Sequence, residues 1–316
     1  MNQDKVKTME IKEHRQLMIL GGGPAGFTAA LYAARADLNP LLVTGMTLYG
    51  QASQTNCIEN YPGFPDGVEG SVLGQRLDEQ AKRFGTEIIY DLVQCVDLQQ
   101  RPFKVCLSSG YYTADSLIIS MGADARKLGV PGEREYTGRG VSFCATCDGA
   151  FYKDKDIHMI GGGDSALEEA LFLTRFARSV TIIHRRDQLR AGAILENRAK
   201  NNPKISFIWD SVVKEIIGVD TVSQLKLENV KTGHQELIPT DGVFISIGHV
   251  PNTSVLDGQL KLTEYGTIEI DAHMESNVKG VFAAGEIADP LYRQVVTSAG
   301  MGAAAAISAT KYLSTF

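Results

Sequence analysis

A chain of 316 residues exceeds one typical domain and suggests two, and with 44% hydrophobic and 22% charged residues each can bury a core, which excludes disorder over most of the length. A formal charge of -6 and a pI near 5.6 exclude a nucleic-acid surface, so a small anion is the better partner for the one compact basic run, His184-Arg185-Arg186 with Arg190. No stretch approaches the roughly 18 uninterrupted apolar residues of a membrane span, Met1 to His14 lacks a signal-peptide core, and five cysteines are an odd count in a large chain; the protein is expected in the cytoplasm, where a disulfide is more often catalytic than structural.

Gln16 to Leu20 is a short apolar strand leading into Gly21-Gly22-Gly23-Pro24-Ala25-Gly26, and Phe27 to Arg35 reads as an alanine-rich helix. Strand, tight turn and helix in this order bind a pyrophosphate. Gly21 permits the turn, Gly23 lets backbone approach the phosphates, and Gly26 lets the helix pack closely on the strand with its N-terminal amides facing the anion. The next strand, Pro40 to Val43, ends in Thr44-Gly45 without the acidic residue that a dinucleotide fold commonly offers to the ribose. Tyr49-Gly50-Gln51 and Asn60 to Pro65 read as functional loops. A helix follows over Gly70 to Phe84, then strands over Glu87 to Tyr90, Gln94 to Leu98, Phe103 to Leu107 and Ser116 to Ser120, and Gly122 closes the segment.

From Ala125 to Val141 the composition shifts to Gly, Pro, Arg and Glu, a linker into a second domain that opens with Cys144-Ala145-Thr146-Cys147-Asp148. Two thiols at this spacing can store two electrons as a dithiol or release them as a disulfide. Half of a zinc site has the same spacing, but the chain offers no second pair nearby, and no metal is expected. Strand Asp156 to Ile160, then Gly161-Gly162-Gly163-Asp164-Ser165-Ala166, then helix Leu167 to Phe176 repeat the first loop 140 positions later, which implies two dinucleotide sites. Strand Val180 to Ile183 ends in the arginine cluster, where an NAD-binding unit carries an acid; arginine there accommodates a 2′-phosphate, so the expected ligand is NADPH, the plainer reading being surface arginines at a solvated helix start.

Ile205 to Ile208, Ser211 to Ile217, Val222 to Leu227 and Gly242 to Ile247 read as strands, and Gly248 to Asn252 returns the chain to the first domain. A last strand, Val281 to Ala284, precedes Gly285-Glu286, and a helix runs from about Arg293 to Leu313. Its start, with Arg293, Gln294 and Ala299, suits the approach of backbone to a flat ligand; a crowded helix packing site has the same composition. Cys57, Cys95 and Cys106 have no partner at close spacing and read as buried reduced thiols.

The GGGPAG loop, CATCDG, GGGDSA with EEA, HRRD and the final RQ and SAG region together resemble the low-molecular-weight, bacterial-type thioredoxin reductases over nearly the whole chain. The resemblance implies an α/β fold of two Rossmann-like three-layer domains, an FAD domain (1–124 and 248–316) interrupted by an NADPH domain (125–247) that holds the cysteine pair. It implies electron flow from NADPH through FAD to a Cys144-Cys147 disulfide and on to thioredoxin. Cys147 would face the flavin, Cys144 would attack the substrate, and Asp148 would move the proton of the departing thiol; a helix cap is the plainer role for that carboxylate. FAD contacts would fall on Gly21, Gly23, Pro24, Ala25, Gly26, Gln51, Asn60, Gly122, Gly285, Glu286, Arg293, Gln294 and Ala299. NADPH contacts would fall on Gly161, Gly163, Asp164, Ser165, Ala166, His184, Arg185, Arg186 and Arg190. A homodimer is the family expectation, and the crossings near Ala123 to Lys127 and Gly248 to Asn252 would serve as a hinge. Two positions depart from the family: Glu286 stands for its usual Asp, and Tyr49-Gly50 for its pair of glycines. Another protein disulfide or a small disulfide as acceptor, or a non-catalytic redox sensor, are the rival readings.

Overall fold

The structure, a computed structural model, describes residues 11–55, 57–256 and 258–315. It forms two units, one made of the residues up to Asp124 with those from Val250 onward, the other of Ala125–His249. In chain order the first unit contains β1 (Ile11–Leu20), α1 (Pro24–Arg35), β2 (Leu41–Val43), α2 (Gly70–Arg83), β3 (Glu87–Ile89), β4 (Val93–Asp97), β5 (Phe103–Leu107), β6 (Gly110–Ile119) and, at the boundary, β7 (Ala123–Ala125). The second contains β8 (Val141–Ser142), α3 (Ala145–Asp148), β9 (Asp156–Ile160), α4 (Asp164–Leu173), β10 (Ser179–Ile183), α5 (Ala193–Lys200), β11 (Ile205–Ile208), β12 (Ser211–Gly218), β13 (Val222–Asn229), β14 (Gln235–Pro239) and β15 (Gly242–Ile245). β16 (His249–Pro251) then pairs with β7, and β17 (Val281–Ala283) and α6 (Val295–Leu313) complete the first unit.

Leu17 to Leu20 are wholly buried because both faces of their sheet are covered, so the run carries no polar alternation. The strand order is β3-β2-β1-β6-β5-β4; the second half of β6 also pairs with β17. Leu17 and Ile19 pack with apolar residues of α1 and α6, whereas Met18 and Leu20 pack on the other side with Val96, Phe103 and Val105 of the β4-β5 hairpin. The second unit repeats this layering around a parallel sheet, β11-β10-β9-β15-β8. Leu167, Ala170 and Leu173 of α4 cover one face, and Val213, Leu225 and Leu227 of the antiparallel β12-β13-β14 sheet cover the other.

Several elements differ from the sequence expectation. β1 begins five residues earlier than the apolar run, since Ile11 to Arg15 extend the ladder with β6, helped by His14 contacts to Thr113 and Asp115, while their side chains stay mostly exposed. Both nucleotide-loop helices start earlier, at Pro24 and Asp164, each directly after a glycine N-cap. α5 and β14 went unpredicted because they are short and polar; α5 fully buries only Ala199, and β14 exists through pairing with β13. The second unit ends at His249 rather than at 247, because β16 belongs to the crossing. Cys95 and Cys106 are not separate thiols: the β4-β5 register sets them opposite one another, and they form a disulfide with a Cα–Cα distance of 5.0 Å. Cys57 alone is free among the described cysteines.

α1 and α6 approach too closely for side chains between them. A Cβ on Gly302 would lie 2.1 Å from the Ala25 carbonyl oxygen, and one on Gly26 would lie 1.8 Å from that of Gly21. Gly302→Val is therefore expected to destabilise the fold by about 1–3 kcal/mol through overpacking, read as a lower melting temperature. Ile307→Val, at an exposed position of the same helix, should stay within about 0.5 kcal/mol of the parent.

Candidate active site

The cysteine pair lies on a single helical turn. Cys144 caps α3, its sulfur accepting from the Cys147 amide at 3.3 Å, and the turn brings the two Cα atoms to 5.3 Å, where the sulfurs are joined as a disulfide. Ser142, two residues ahead, organises this turn. Its Oγ accepts from the Cys144 amide at 3.1 Å and donates to Asp148 Oδ2 at 2.6 Å. Asp148 makes no side-chain cap to the helical turn that follows, so its carboxylate is held as a partner of Ser142 rather than as a helix cap. Burial pushes the Asp148 carboxyl above its ordinary value, with the Ser142 hydrogen bond pulling the other way. Burial first, and the nearby Asp148 charge second, push Tyr152 up to about 12. A carboxyl beside a dithiol turn, tuned toward the protonated form, can hand a proton to a leaving thiolate.

The first glycine loop gathers residues from distant parts of its unit. Gly21, with φ of 114°, faces Ser120 at the end of β6 so closely that a Cβ would meet its carbonyl oxygen at 2.2 Å. Gly23 has open space at its would-be Cβ and caps α1, a 12-residue helix whose first amides have no side-chain cap. Gly285 abuts Ala25 and Ser298, which sets the Gly285-Glu286 turn and the buried Ala299 beside this loop. The Ala123 peptide joins two further candidates: its amide donates to the Glu286 carboxylate, and its carbonyl accepts from Gln51 Nε2 at 2.5 Å. Asn60 donates to Gln294 Oε1 at 3.0 Å. Gly122 sits between, with φ of 66° and open space at its would-be Cβ.

Burial pushes Glu286 up to about 7, against the opposing pull of Arg293. Its pKa lies above the ordinary 4.5, so the folded chain holds more protons than the unfolded one between pH 4.5 and about 7, and this group's contribution to stability falls as pH rises through that window. Tyr49, where the family has glycine, adopts φ of 63° and packs on Phe27 with ring centroids 5.8 Å apart. Gly74 makes room for it, since a Cβ there would lie 2.3 Å from that of Tyr49.

The second loop repeats the pattern. Gly161 lies against Ser246 and Ala166, Gly163 has open space at its would-be Cβ and caps α4, and Ser165 in the first turn is exposed. Asp164 Oδ1 accepts from the Gly192 amide at 2.7 Å. His184 is buried against Gly162 and donates Nε2–H to the Gln188 carbonyl at 3.1 Å; burial first, and the neighbouring arginines less so, lower its pKa against the opposing pull of that hydrogen bond. Arg190 is tied to the same loop through its amide, 2.7 Å from the Gly162 carbonyl oxygen. Arg185, Arg186 and Arg190 are exposed. Lys231, which no sequence signal marks, pairs with Asp187, the residue after Arg186, at 2.8 Å and with Asp210 at 2.9 Å. Ser142 was missed for a similar reason, because its role arises from the shape of a turn.

Ser142→Ala removes the one interaction that lowers the Asp148 pKa, so that pKa should rise further. The Asp148 limb in the pH profile of dithiol–disulfide cycling at Cys144 and Cys147 is expected to move to higher pH, whereas Ser142→Thr, which keeps the hydroxyl, should restore it.

Comparison with known proteins adds to this geometry. The sequence pattern of the family described as pyridine nucleotide-disulphide oxidoreductase matches residues 15–302. A thioredoxin reductase of Streptomyces coelicolor is 50% identical over 302 residues, covering 95% of this chain and 94% of that protein. One from Rickettsia felis is 49% identical over 303 residues, covering 94% and 98%. The crystal structure of thioredoxin reductase from Streptococcus pyogenes superposes with a TM-score of 0.90 at 46% identity, covering 96% of this chain and 99% of that one.

Proposed function

The chain belongs to the pyridine nucleotide-disulphide oxidoreductases, and from that premise we propose how its own residues perform its reaction. It is an NADPH-dependent, FAD-containing thioredoxin-disulfide reductase. The observation that carries the residue assignment is the Cys144–Cys147 disulfide closed over the Ser142-held carboxyl of Asp148, in a unit with its own nucleotide loop.

Both cofactors fit the residues present. Gly23 and Gly163 each leave unobstructed backbone at a helix N-terminus, where a pyrophosphate is held by amides and the helix dipole. We assign FAD to the unit containing Gly21 to Gly26, with Gln51, Asn60, Gly122, Gly285, Glu286, Arg293, Gln294 and Ala299 around its site. NADPH belongs to the unit containing Gly161 to Ala166, with Arg185, Arg186 and Arg190 receiving the 2′-phosphate through bidentate, charge-assisted hydrogen bonds. FAD, when bound, supplies the ring that relays an electron pair from NADPH to the disulfide. Cys147 receives that pair, which frees Cys144 as the thiolate that attacks the thioredoxin disulfide. Asp148 delivers the proton to the departing sulfur and is reset through the Ser142 hydrogen bond. The resemblance to the low-molecular-weight reductases supports a cytoplasmic homodimer; no helix among the described residues is long and apolar enough to cross a membrane.

Oxidation of NADPH followed at its absorbance band should require both FAD and thioredoxin; consumption indifferent to thioredoxin would point to another acceptor. Replacing Arg185, Arg186 and Arg190 together should raise KM for NADPH at least about tenfold while leaving that for NADH nearly unchanged, since one hydrogen bond to a charged group is worth roughly 1.5–3 kcal/mol. Equal effects on the two cofactors would reduce the cluster to surface charge. Cys144→Ser should give the FAD-loaded enzyme a long-wavelength absorbance from a lone Cys147 thiolate beside the flavin, and Cys147→Ser should not. Identical spectra would remove Cys147 as the flavin-facing sulfur.

A further inference from the structure

The disulfide between Cys95 and Cys106 has no part in the reaction above. The two residues are 11 apart in sequence and opposite one another in the antiparallel β4-β5 ladder. They lie on the face of the hairpin that turns away from its core. Val96 and Leu98 of one strand, and Phe103, Val105 and Leu107 of the other, point to the opposite face and are buried there, each no more than 6% exposed. The core side and the backbone ladder thus hold the hairpin whether or not the sulfurs are joined, and Gln259 adds hydrogen bonds to the Leu98 amide at 2.7 Å and the Val96 carbonyl at 2.6 Å.

The two sulfurs are not equivalent. Cys106 belongs to the interior strand β5 and is 5% exposed, whereas Cys95 is half-buried on β4, the edge strand of the sheet. An incoming thiolate can therefore reach Cys95 and would expel Cys106. Lys104 lies two residues from Cys106 on the same face, opposite Asp97, which lies two residues from Cys95; the cation is on the side of the departing Cys106 sulfur, where it favours a thiolate.

We propose that Cys95–Cys106 is a second thiol–disulfide exchange site, whose substrate is a dithiol protein of the class this enzyme itself produces; the choice of reductant rests on the thioredoxin reductase reading. One thioredoxin thiolate attacks Cys95 Sγ, the Cys95–Cys106 bond breaks, and Cys106 leaves as a thiolate that takes up a proton. The second thioredoxin thiol then attacks the mixed disulfide and releases Cys95 as a thiol. Two electrons and two protons pass to the pair, and thioredoxin is left as its disulfide. Reverse exchange with oxidised thioredoxin closes the bridge again.

The test uses the holoenzyme and differential alkylation read by peptide mass spectrometry. In enzyme purified in air, Cys95 and Cys106 should resist alkylation until the unfolded chain is reduced. Pre-reduced thioredoxin, added without NADPH, should raise labelling of both by about tenfold or more; catalytic thioredoxin with NADPH should do the same, and NADPH alone should not. Because pre-reduced thioredoxin bypasses the Cys144–Cys147 reaction, its arm tests this site even if the catalytic reading were to fail. A Cys106→Ala variant should trap thioredoxin as a mixed disulfide on Cys95 when the resolving cysteine of thioredoxin is replaced and Cys95 is first activated by an aromatic disulfide. Free, readily labelled cysteines in the air-purified enzyme would overturn the proposal, as would a bridge that stays closed with reduced thioredoxin. Opening by NADPH alone would overturn the assignment of the reductant.

Discussion

The first unit rests on backbone meeting backbone where no side chain fits. α1 enters the sheet through Gly21 and Gly26, and α6 lies against α1 through Gly302. These contacts bring the Gly285 turn and the start of α6 to the glycine loop, although residues 285–302 and residues 21–26 lie at opposite ends of the chain. A methyl group at Gly26 or Gly302 would separate the helix from its neighbour and with it the loop from its distant partners. The second unit uses the same device at Gly161, and adds Gly162, where the His184 ring occupies the space a side chain would need.

Electrostatics then refine what packing has assembled. In the second unit Lys231 pairs with Asp187, the residue after Arg186, and with Asp210, which offsets carboxylate charge beside the arginine cluster. In the redox turn one hydroxyl, Ser142, serves both the backbone of Cys144 and the carboxylate of Asp148. The Cys144 backbone and the Asp148 carboxylate are thereby tied to the same hydroxyl.

Much of this was legible in the sequence because glycine spacing is a local signal. The loops at Gly21 and Gly161, the strands β5 and β9 and the repeat that relates the units follow from short-range pattern. Partnerships between distant residues did not. Cys95 and Cys106 became a pair only through strand register, Gln51 and Glu286 met only through the Ala123 peptide, and the polar strand β14 exists only because β13 offers a ladder. Tyr49 was seen as a departure from the family pattern, yet its accommodation depends on Gly74, in a helix whose glycine had no evident purpose in the sequence.

The paired strands β7 and β16 carry the chain out of the first unit and back again, so Ala125–His249 is an uninterrupted segment, whereas the first unit is split. On the ribosome this sets an order of events. The inserted unit can complete its core as soon as His249 has emerged, while the earlier-made first unit still lacks β17 beside β6 and α6 against α1. The part of α1 that meets α6 is uncovered throughout that interval, so the portion synthesised first completes its packing after the inserted unit can.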